Sequence, residues 1–394
     1  MAGFSFMARL FSLLRAPENK ASATARLIAL QGAGRARWTP RDYAALAREG
    51  YVKNAVVHRA VRLVVENVGA TTWLLFEGEA ERDMHPLLAL LARPNPRQDG
   101  AALLESLTAH LLLAGNAYLE AVSAGGLPRE LHALRPDRMK VVPGADGWAE
   151  AYEYTVAGRA IRFSQDAAPP PILHLSQLHP LDDHYGLSAL EAAATAVDTH
   201  NAAARWNKAL LDNAARPSGA LVYAGPDNAL LSEAQFERLK RELEDTYQGA
   251  VNAGRPLLLE GGLDWKPMSL SPKDMDFLDA KHNAAREIAL AFGVPPMLLG
   301  IPGDNTYANY QEANRALFRA TVLPLAARIG AALAQWLAPA FGSVRLVPDL
   351  DAVEALSADR AALWARVIAA PFLTLNEKRI AVGYAPVEGG DGFA

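Results

Sequence analysis

The chain contains no cysteine. That excludes disulfide staples and cysteine-ligated zinc, and it fits assembly in a reducing cytoplasm. No uninterrupted apolar run reaches about 18 residues, so no membrane-spanning helix is expected. A strong net charge is also missing. The formal balance is −4, and it is unevenly spread. Residues 1–50 carry eight Lys/Arg against three Asp/Glu, so the remainder sums to −9. An acidic body of this kind is not built to grip DNA, and any nucleic-acid contact should be weak or local. The common catalytic signatures are lacking too. There is no P-loop and no H-E-x-x-H, and Gly186-Leu187-Ser188-Ala189-Leu190 fails the G-x-S-x-G pattern at its last position. No internal repeat is evident.

What is present is ample for burial. With 394 residues, 51% of them hydrophobic, the chain should form two or three packed units. The first residues, MAGFSFMARLFSLLR, resemble a signal sequence, but Arg9 and Arg15 interrupt the apolar run. A short basic amphipathic arm is expected over 1–40. From Tyr43 the apolar spacing turns helical. Val52, Val56, Val57, Ala60, Val61, Val64, Val65 and Val68 recur at steps of three and four. A strand over 71–76 and helices over 85–96 and 101–114 follow. Candidate strands then cover 117–122, 130–134, 139–143, 151–156, 160–163 and 172–175. Helices followed by a run of strands predict an α+β unit rather than a doubly wound sheet.

Residues 187–215 read as a long Ala-rich helix suited to close packing. A small α/β insert follows, with strands 220–223, 256–260 and 263–268 and a hairpin signal at Gly261-Gly262. Its helix opens on the capping pair Ser232 and Gln235. A second long helix starts at Ser271-Pro272-Lys273-Asp274 and runs to Phe292. Two long helices bracketing a compact insert suggest a stalk that an oligomer can bury. The stretch AFGVPPMLLGIPGDNTYANYQEANRA (291–316) then ends a helix at Pro295-Pro296 and releases a Gly/Asp/Asn-rich loop. A third long helix is expected over 311–338, kinked by Pro324. A strand at 344–347, a helix from Ser357 and a capping box at Thr374–Glu377 complete the chain.

Few residues point to chemistry. In HLSQLHPLDDHYG (174–186), His174, His179 and His184 stand with Asp182 and Asp183. A metal-dependent hydrolase is the alternative reading of this stretch. Its five-residue spacings match neither a helix face nor strand alternation, which favours a polar turn. Asp349 and Asp351 read as a charged turn after a strand. The charge run from Glu237 to Asp245 reads as a solvated helix face. Tyr307 and Tyr310 are potential stacking platforms, but the loop lacks interleaved cations. Arg315 and Arg319, at i and i+4, are candidates for intersubunit or DNA contact.

Seven stretches occur together in order: HPLLALLARPNP (85–96), LLLAGNAYLE (111–120), LHALRPDRMKV (131–141), YGLSALEAA (185–193), NAGRPLLLEGGLDWKPMSLSPKDMDFL (252–278), AFGVPPMLLG (291–300) and LTLNEKRIAVGYAPVEGGD (373–391). Through them the sequence resembles the portal proteins of long-tailed double-stranded DNA phages, including the portals of gene transfer agents. The resemblance implies an α+β portal fold assembled as a ring, usually of about twelve subunits, at one capsid vertex. It implies an α/β wing over 41–186, stem helices over 187–215 and 271–294, and a clip over 216–270. A tunnel loop region would follow over 295–312, a kinked long helix over 313–343 and a helical crown over 344–394. DNA would pass through the channel beside Asn305, Thr306, Tyr307, Asn309 and Tyr310. The implied partners are further copies of the chain, double-stranded DNA, the large terminase subunit, a head-tail adaptor or neck protein and the major capsid protein. No membrane, cofactor, metal or catalytic residue is implied. Assembly would occur in the bacterial cytoplasm, before residence at the particle vertex.

Overall fold

A computed structural model describes residues 38–212, 219–223, 232–235, 237–238, 241, 263–267, 277–303 and 307–392. Contacts divide the chain into Met1–Trp38 and Thr39–Ala394, and the fold is that of the second unit. The arm residues 1–37, the strand expected at 256–260, the Gly261-Gly262 turn and the Ser271–Asp274 cap lie outside the described residues.

The second unit begins with α1 (Tyr43–Ala47), capped by the Asp42 carboxylate, which accepts from the Ala45 amide. A π-turn, Arg48–Val52, leads to Asn54, whose side chain accepts from the amides of Val56 and Val57 and starts α2 (Ala55–Gly69). The apolar stripe of α2 is buried as its spacing predicts, through Val57, Ala60, Val61, Val64, Val65 and Val68. Val52 departs from the stripe and is 74% exposed. The π-turn and the Asn54 cap break the helical register between it and the rest.

Strands β1 (Trp73–Glu77) and β2 (Ala80–Glu81) precede α3 (Pro86–Ala92) and α4 (Gly100–Ala114). Helix α4 packs against α2 and buries Leu103, Leu104, Leu107 and Leu111 in the main core. Gly115 ends it at φ +72°, where a Cβ would run into the carbonyl of Gly186. Only glycine meets both demands. The chain then turns into β3 (Asn116–Ala124), the centre of an antiparallel sheet between β4 (Leu127–Leu134) and β8 (Ile172–Ser176). A second antiparallel sheet is β5 (Met139–Pro143), β6 (Ala149–Val156) and β7 (Arg159–Ser164). Tyr118, Leu134, Met139, Val141, Tyr152 and Ile172 fill a smaller core shared by the two sheets.

The expected single helix over 187–215 begins as two. α5 (Ala189–Ala192) stops at Ala193, and α6 (Ala194–Asp212) continues. Helix α6 packs along α7 (Phe277–Ala291). Between them, β9 (Gly219–Tyr223) pairs antiparallel with β10 (Leu263–Pro267), in the register Leu263↔Tyr223 to Pro267↔Gly219. The Ser232 capping pair forms, with the Ser232 hydroxyl accepting from the Gln235 backbone N–H at 3.3 Å and the Gln235 side-chain Oε1 accepting from the Ser232 backbone N–H at 3.0 Å.

The third long helix starts earlier than its spacing predicts. α8 (Tyr307–Leu317) runs through a π-turn, Phe318–Val322, into α9 (Leu323–Phe341). Pro324 has no N–H to donate to the Ala320 carbonyl, and the wider π-turn lies just where that hydrogen bond is lost. The stretch Ala308–Phe341 is long and apolar enough, by length and composition, to cross a membrane. The core helices of globular proteins meet the same test of length and composition. In this fold its apolar side, including Ala326, Ile329, Leu333 and Leu337, is buried in the main core. The Trp336 indole donates to the Pro170 carbonyl at 2.8 Å, tying α9 to the approach of β8.

Strand β11 (Arg345–Pro348) returns to pair with β1, from Trp73↔Pro348 to Phe76↔Arg345. Last come α10 (Ser357–Ile368) and α11 (Leu375–Val382), the second opened by the expected Thr374–Glu377 capping box.

Candidate functional site

The stretch after α7 is the candidate site that the sequence singles out. Gly293 ends α7 at φ +64°. Its carbonyl accepts from the Thr321 hydroxyl at 2.6 Å, so the end of α7 is fastened to the π-turn of the long helix. Val294 is buried, and Pro296–Leu299 form one 3₁₀ turn closed by Gly300 at φ +70°. Leu298 and Leu299 lie against the core, while Ile301 is buried with Ala285 and Ala289. The turn is thus pinned by apolar contacts on both sides of Gly300. Arg286 on α7 donates to the Pro302 carbonyl.

Asn305 and Thr306 lie outside the described residues. Tyr307 is the first residue of α8, so Tyr307, Asn309 and Tyr310 belong to a helix rather than to a loop. Asn309 and Tyr310 are exposed in its first turn. The Asn-Thr-Tyr-Ala-Asn-Tyr segment reads as a loop because it is polar and follows Gly-Asp. A helix can start inside such a segment when its later turns, here Leu317 onward, are held by a core.

Arg315 and Arg319 have partners within the chain. The Arg319 guanidinium meets the Asp359 carboxylate of α10 at 2.5 Å, and Arg315 approaches the same carboxylate at 3.5 Å. Arg315 also pairs with Glu312 at 2.8 Å. Their i, i+4 spacing aims both at one acid on another element, which local spacing cannot reveal.

The histidines do not converge. His174 is stacked on Tyr118, with ring centroids 4.3 Å apart, and its Nε2 lies 2.9 Å from the Asn116 side-chain oxygen. Burial lowers its pKa to about 4, so at neutral pH it is an uncharged core residue. His179 accepts from the Leu181 amide through Nδ1 at 3.1 Å. The Asp182 carboxylate accepts from the amides of His184 and Tyr185, at 2.8 and 2.9 Å, and these bonds hold its pKa below the usual carboxylate range. Among the described residues, no group of three or more His, Asp and Glu side chains is placed to hold a metal ion. Beside this turn lies an open cleft of about 350 Å³, lined in part by Arg41, Asp137, His179, Asp182 and Glu191. It mixes charges of both signs.

Sequence reasoning missed the polar joints at the root of the α6–α7 pair. The Asn201 amide on α6 donates to the Glu49 carbonyl of the first π-turn at 2.8 Å, and the Asn54 amide donates to Asn201 at 2.9 Å. Thr39 donates from its amide to the buried Asp198 carboxylate of α6 at 2.8 Å. Both π-turns are therefore gripped by this helix pair, one by α6 and one by the end of α7. Asn54, standing just before an apolar stripe, carried a readable capping signal; Asp198 and Asn201 carried none.

Comparison with known proteins decides the family. The Phage portal protein family model matches residues 55–383. The chain belongs to the phage portal family. This portal chain is 42% identical over 348 residues to a protein of Rickettsia bellii (strain RML369-C), covering 87% of this chain and 90% of that one. It is 26% identical over 318 residues to the portal protein of Enterobacteria phage HK97, covering 78% and 72% of the two chains. It is also similar to a chain in the neck of a native gene transfer agent particle computed with C12 symmetry. There the identity is 56%, the TM-score 0.68 and the coverage 90% of this chain and 97% of the other. The mixed helix and sheet architecture is that of a portal, and the hydrolase reading of His174, His179 and His184 finds no support in geometry or in family.

Proposed function

We propose that the chain is the portal subunit of a gene transfer agent particle, closing as a ring of twelve around a channel for double-stranded DNA at one capsid vertex. The observation that carries this reading is the 56% identity to a neck chain of a native gene transfer agent particle, over 97% of that chain. That identity exceeds the 26% shared with an infectious phage portal. Within the ring, residues 41–186 form the wing, 187–215 and 271–294 the stem, 216–270 the clip and 344–394 the crown. The region 295–312 and the long helix 313–343 lie nearest the axis. The clip meets the large terminase subunit during packaging and the neck adaptor afterwards, while the wing meets the major capsid protein. Assembly takes place in the bacterial cytoplasm.

A conduit must let DNA slide. Every tight phosphate contact adds affinity, and repetition around a ring turns that affinity into a brake. Two features support a low-friction wall. Asn305, Thr306, Tyr307, Asn309 and Tyr310, which we assign to the channel wall, are all polar and carry no formal charge. Arg315 and Arg319, the nearest cations following them in sequence, are paired with two carboxylates, Asp359 and Glu312. No step of this function requires a catalytic group or cofactor.

Electron microscopy and native mass measurement of the purified chain test the reading. Rings of about twelve copies are expected, and a stable monomer at every concentration would overturn it. For the channel wall, Asn309→Lys together with Tyr310→Lys should lower DNA packaged per particle without lowering particle number. Unchanged packaging would remove these residues from the wall.

A further inference from the structure

Helix α10 has more apolar surface than its own chain covers. Arg360, Leu363 and Val367 recur at helical spacing, and these three are half-buried or buried on the side toward α11. A second stripe, Ala361, Trp364, Ala365 and Ile368, follows the i, i+3, i+4, i+7 pattern of a core-facing helix, yet Ala361, Ala365 and Ile368 are exposed, and Trp364, which meets the Tyr384 ring edge-on at 5.8 Å, keeps 37% of its surface in solvent. Phe372 lies in the turn that follows the helix, beyond Pro371, and is exposed as well. Ile368 is 66% and Phe372 72% exposed. A helix that is apolar on two faces is normally covered on both.

We propose that this second face of α10, with Phe372, packs against the neighbouring copy of the chain in the ring. The inference rests on the ring reading above. Three observations choose a second copy as the occupant. The neck of the related particle is computed with C12 symmetry, and in a head-to-tail ring every subunit meets a neighbour on each of two different faces. The face is apolar, like the centre of a permanent homo-oligomer interface and unlike a transient docking patch. The charges around it are largely satisfied within the chain: Asp359 by Arg315 and Arg319, Arg360 by Asp351, and Glu377 by the Thr374 amide. A nucleic acid or a charged partner therefore finds little to pair with beyond Arg366 and Lys378, whose ammonium donates to the Ile368 carbonyl at 3.5 Å. The small side chains Ala361 and Ala365 allow a neighbour to approach closely, while Ile368 and Phe372, with the exposed part of Trp364, provide the area of an anchor.

The test uses the full-length chain carrying Ile368→Asp with Phe372→Asp, and a control, Met84→Asp, at a wing residue that is 96% exposed. Sedimentation and native mass measurement read the ring fraction, and circular dichroism reads folding. The expected result is wild-type ring formation by Met84→Asp and at least about a tenfold loss of rings in the double variant. Hydroxyl-radical footprinting of the wild type supplies a second readout that needs no folded variant. Trp364 and Phe372 should be protected in rings and reactive in dissociated subunits. Normal rings from the double variant, or footprints unchanged by assembly, would overturn the interface while leaving the ring reading intact. Protection already present in single subunits, and lost on deleting residues 1–37, would assign the face to the arm and overturn the proposal. A wild-type chain that never forms rings would overturn the ring reading and this interface with it.

Discussion

Helices α2 and α4 form one packed pair in this molecule, and α10 and α11 form another, but different forces hold the two pairs. The first buries Val57, Val61, Val64, Leu103, Leu107 and Leu111 in a continuous apolar core. Among the described residues, the apolar side chains buried near the second are Leu356, Val367, Val382 and Ala385. It is stitched instead by polar bonds. The Asp351 carboxylate accepts from the Arg360 guanidinium at 2.5 and 2.9 Å and from the Tyr384 hydroxyl at 3.1 Å. Arg379 donates to the Ala385 carbonyl at 2.7 Å, and Asn376 bonds both Val387 and Asp391. Burial is non-directional and scales with area, so the first pair is stable wherever its surfaces fit. Hydrogen bonds to charged groups are directional and depend on protonation, so the second pair is set to one geometry within one range of pH. A region that completes its core with a neighbouring subunit has reason to fix its own shape in this way.

Four experiments break or sharpen that contrast, beginning with the largest expected effect. Leu107→Ala removes a fully buried side chain from the first pair and should cost about 2–5 kcal/mol of global stability in denaturant unfolding. A cost under about 1 kcal/mol would show that this core is not tightly packed.

The second concerns acid. Burial lowers the pKa of His174 to about 4, and that of His110 likewise. The unfolded chain, with histidines near 6.5, then binds protons that the folded chain refuses. Stability should be full above about pH 6.5 and fall as the pH drops toward 4, by up to about 3 kcal/mol per histidine. His174→Gln should flatten its share of the pH profile of the melting temperature, and an unchanged slope would refute the assignment.

Third, Asp351→Ala should loosen α10 and α11 by about 1.5–3 kcal/mol, seen as faster amide exchange there with little change in α2 and α4. The hydrogen bonds from Arg360 hold the Asp351 carboxyl below its usual range. Its contribution is therefore present above the ordinary carboxylate pKa and is lost as the pH falls through the lowered one. Equal loosening of both helix pairs would mean that they unfold as one. The smallest effect is expected from Thr374→Ala, which removes the α11 cap and should cost about 1 kcal/mol, confined to exchange in that helix.

Much of the fold was legible because its signals are local. Ser232 and Thr374 mark helix starts within three residues of the amides they cap. Gly115 and Pro295-Pro296 mark ends through their own backbone limits. Every strand expected between 117 and 175 is present with edges shifted by at most three residues. The candidate site was legible only in part. Its prolines and glycines placed the turn after α7, but Tyr307, Asn309 and Tyr310 proved helical because tertiary packing extends α8 toward its N-terminus. The partner that Arg315 and Arg319 share was illegible, since Asp359 lies 40 residues beyond Arg319.

The sequence by itself determined the family, through ordered motifs, and the position of most elements, through caps, breakers and periodicity. These are properties of a few adjacent residues and survive in any surroundings. The tertiary structure alone decided that β11 pairs with β1, that two π-turns grip the α6–α7 pair, and that α10 keeps an apolar face uncovered. Each of these depends on residues far apart in the chain being brought together, and no local pattern records which distant partner the fold will supply.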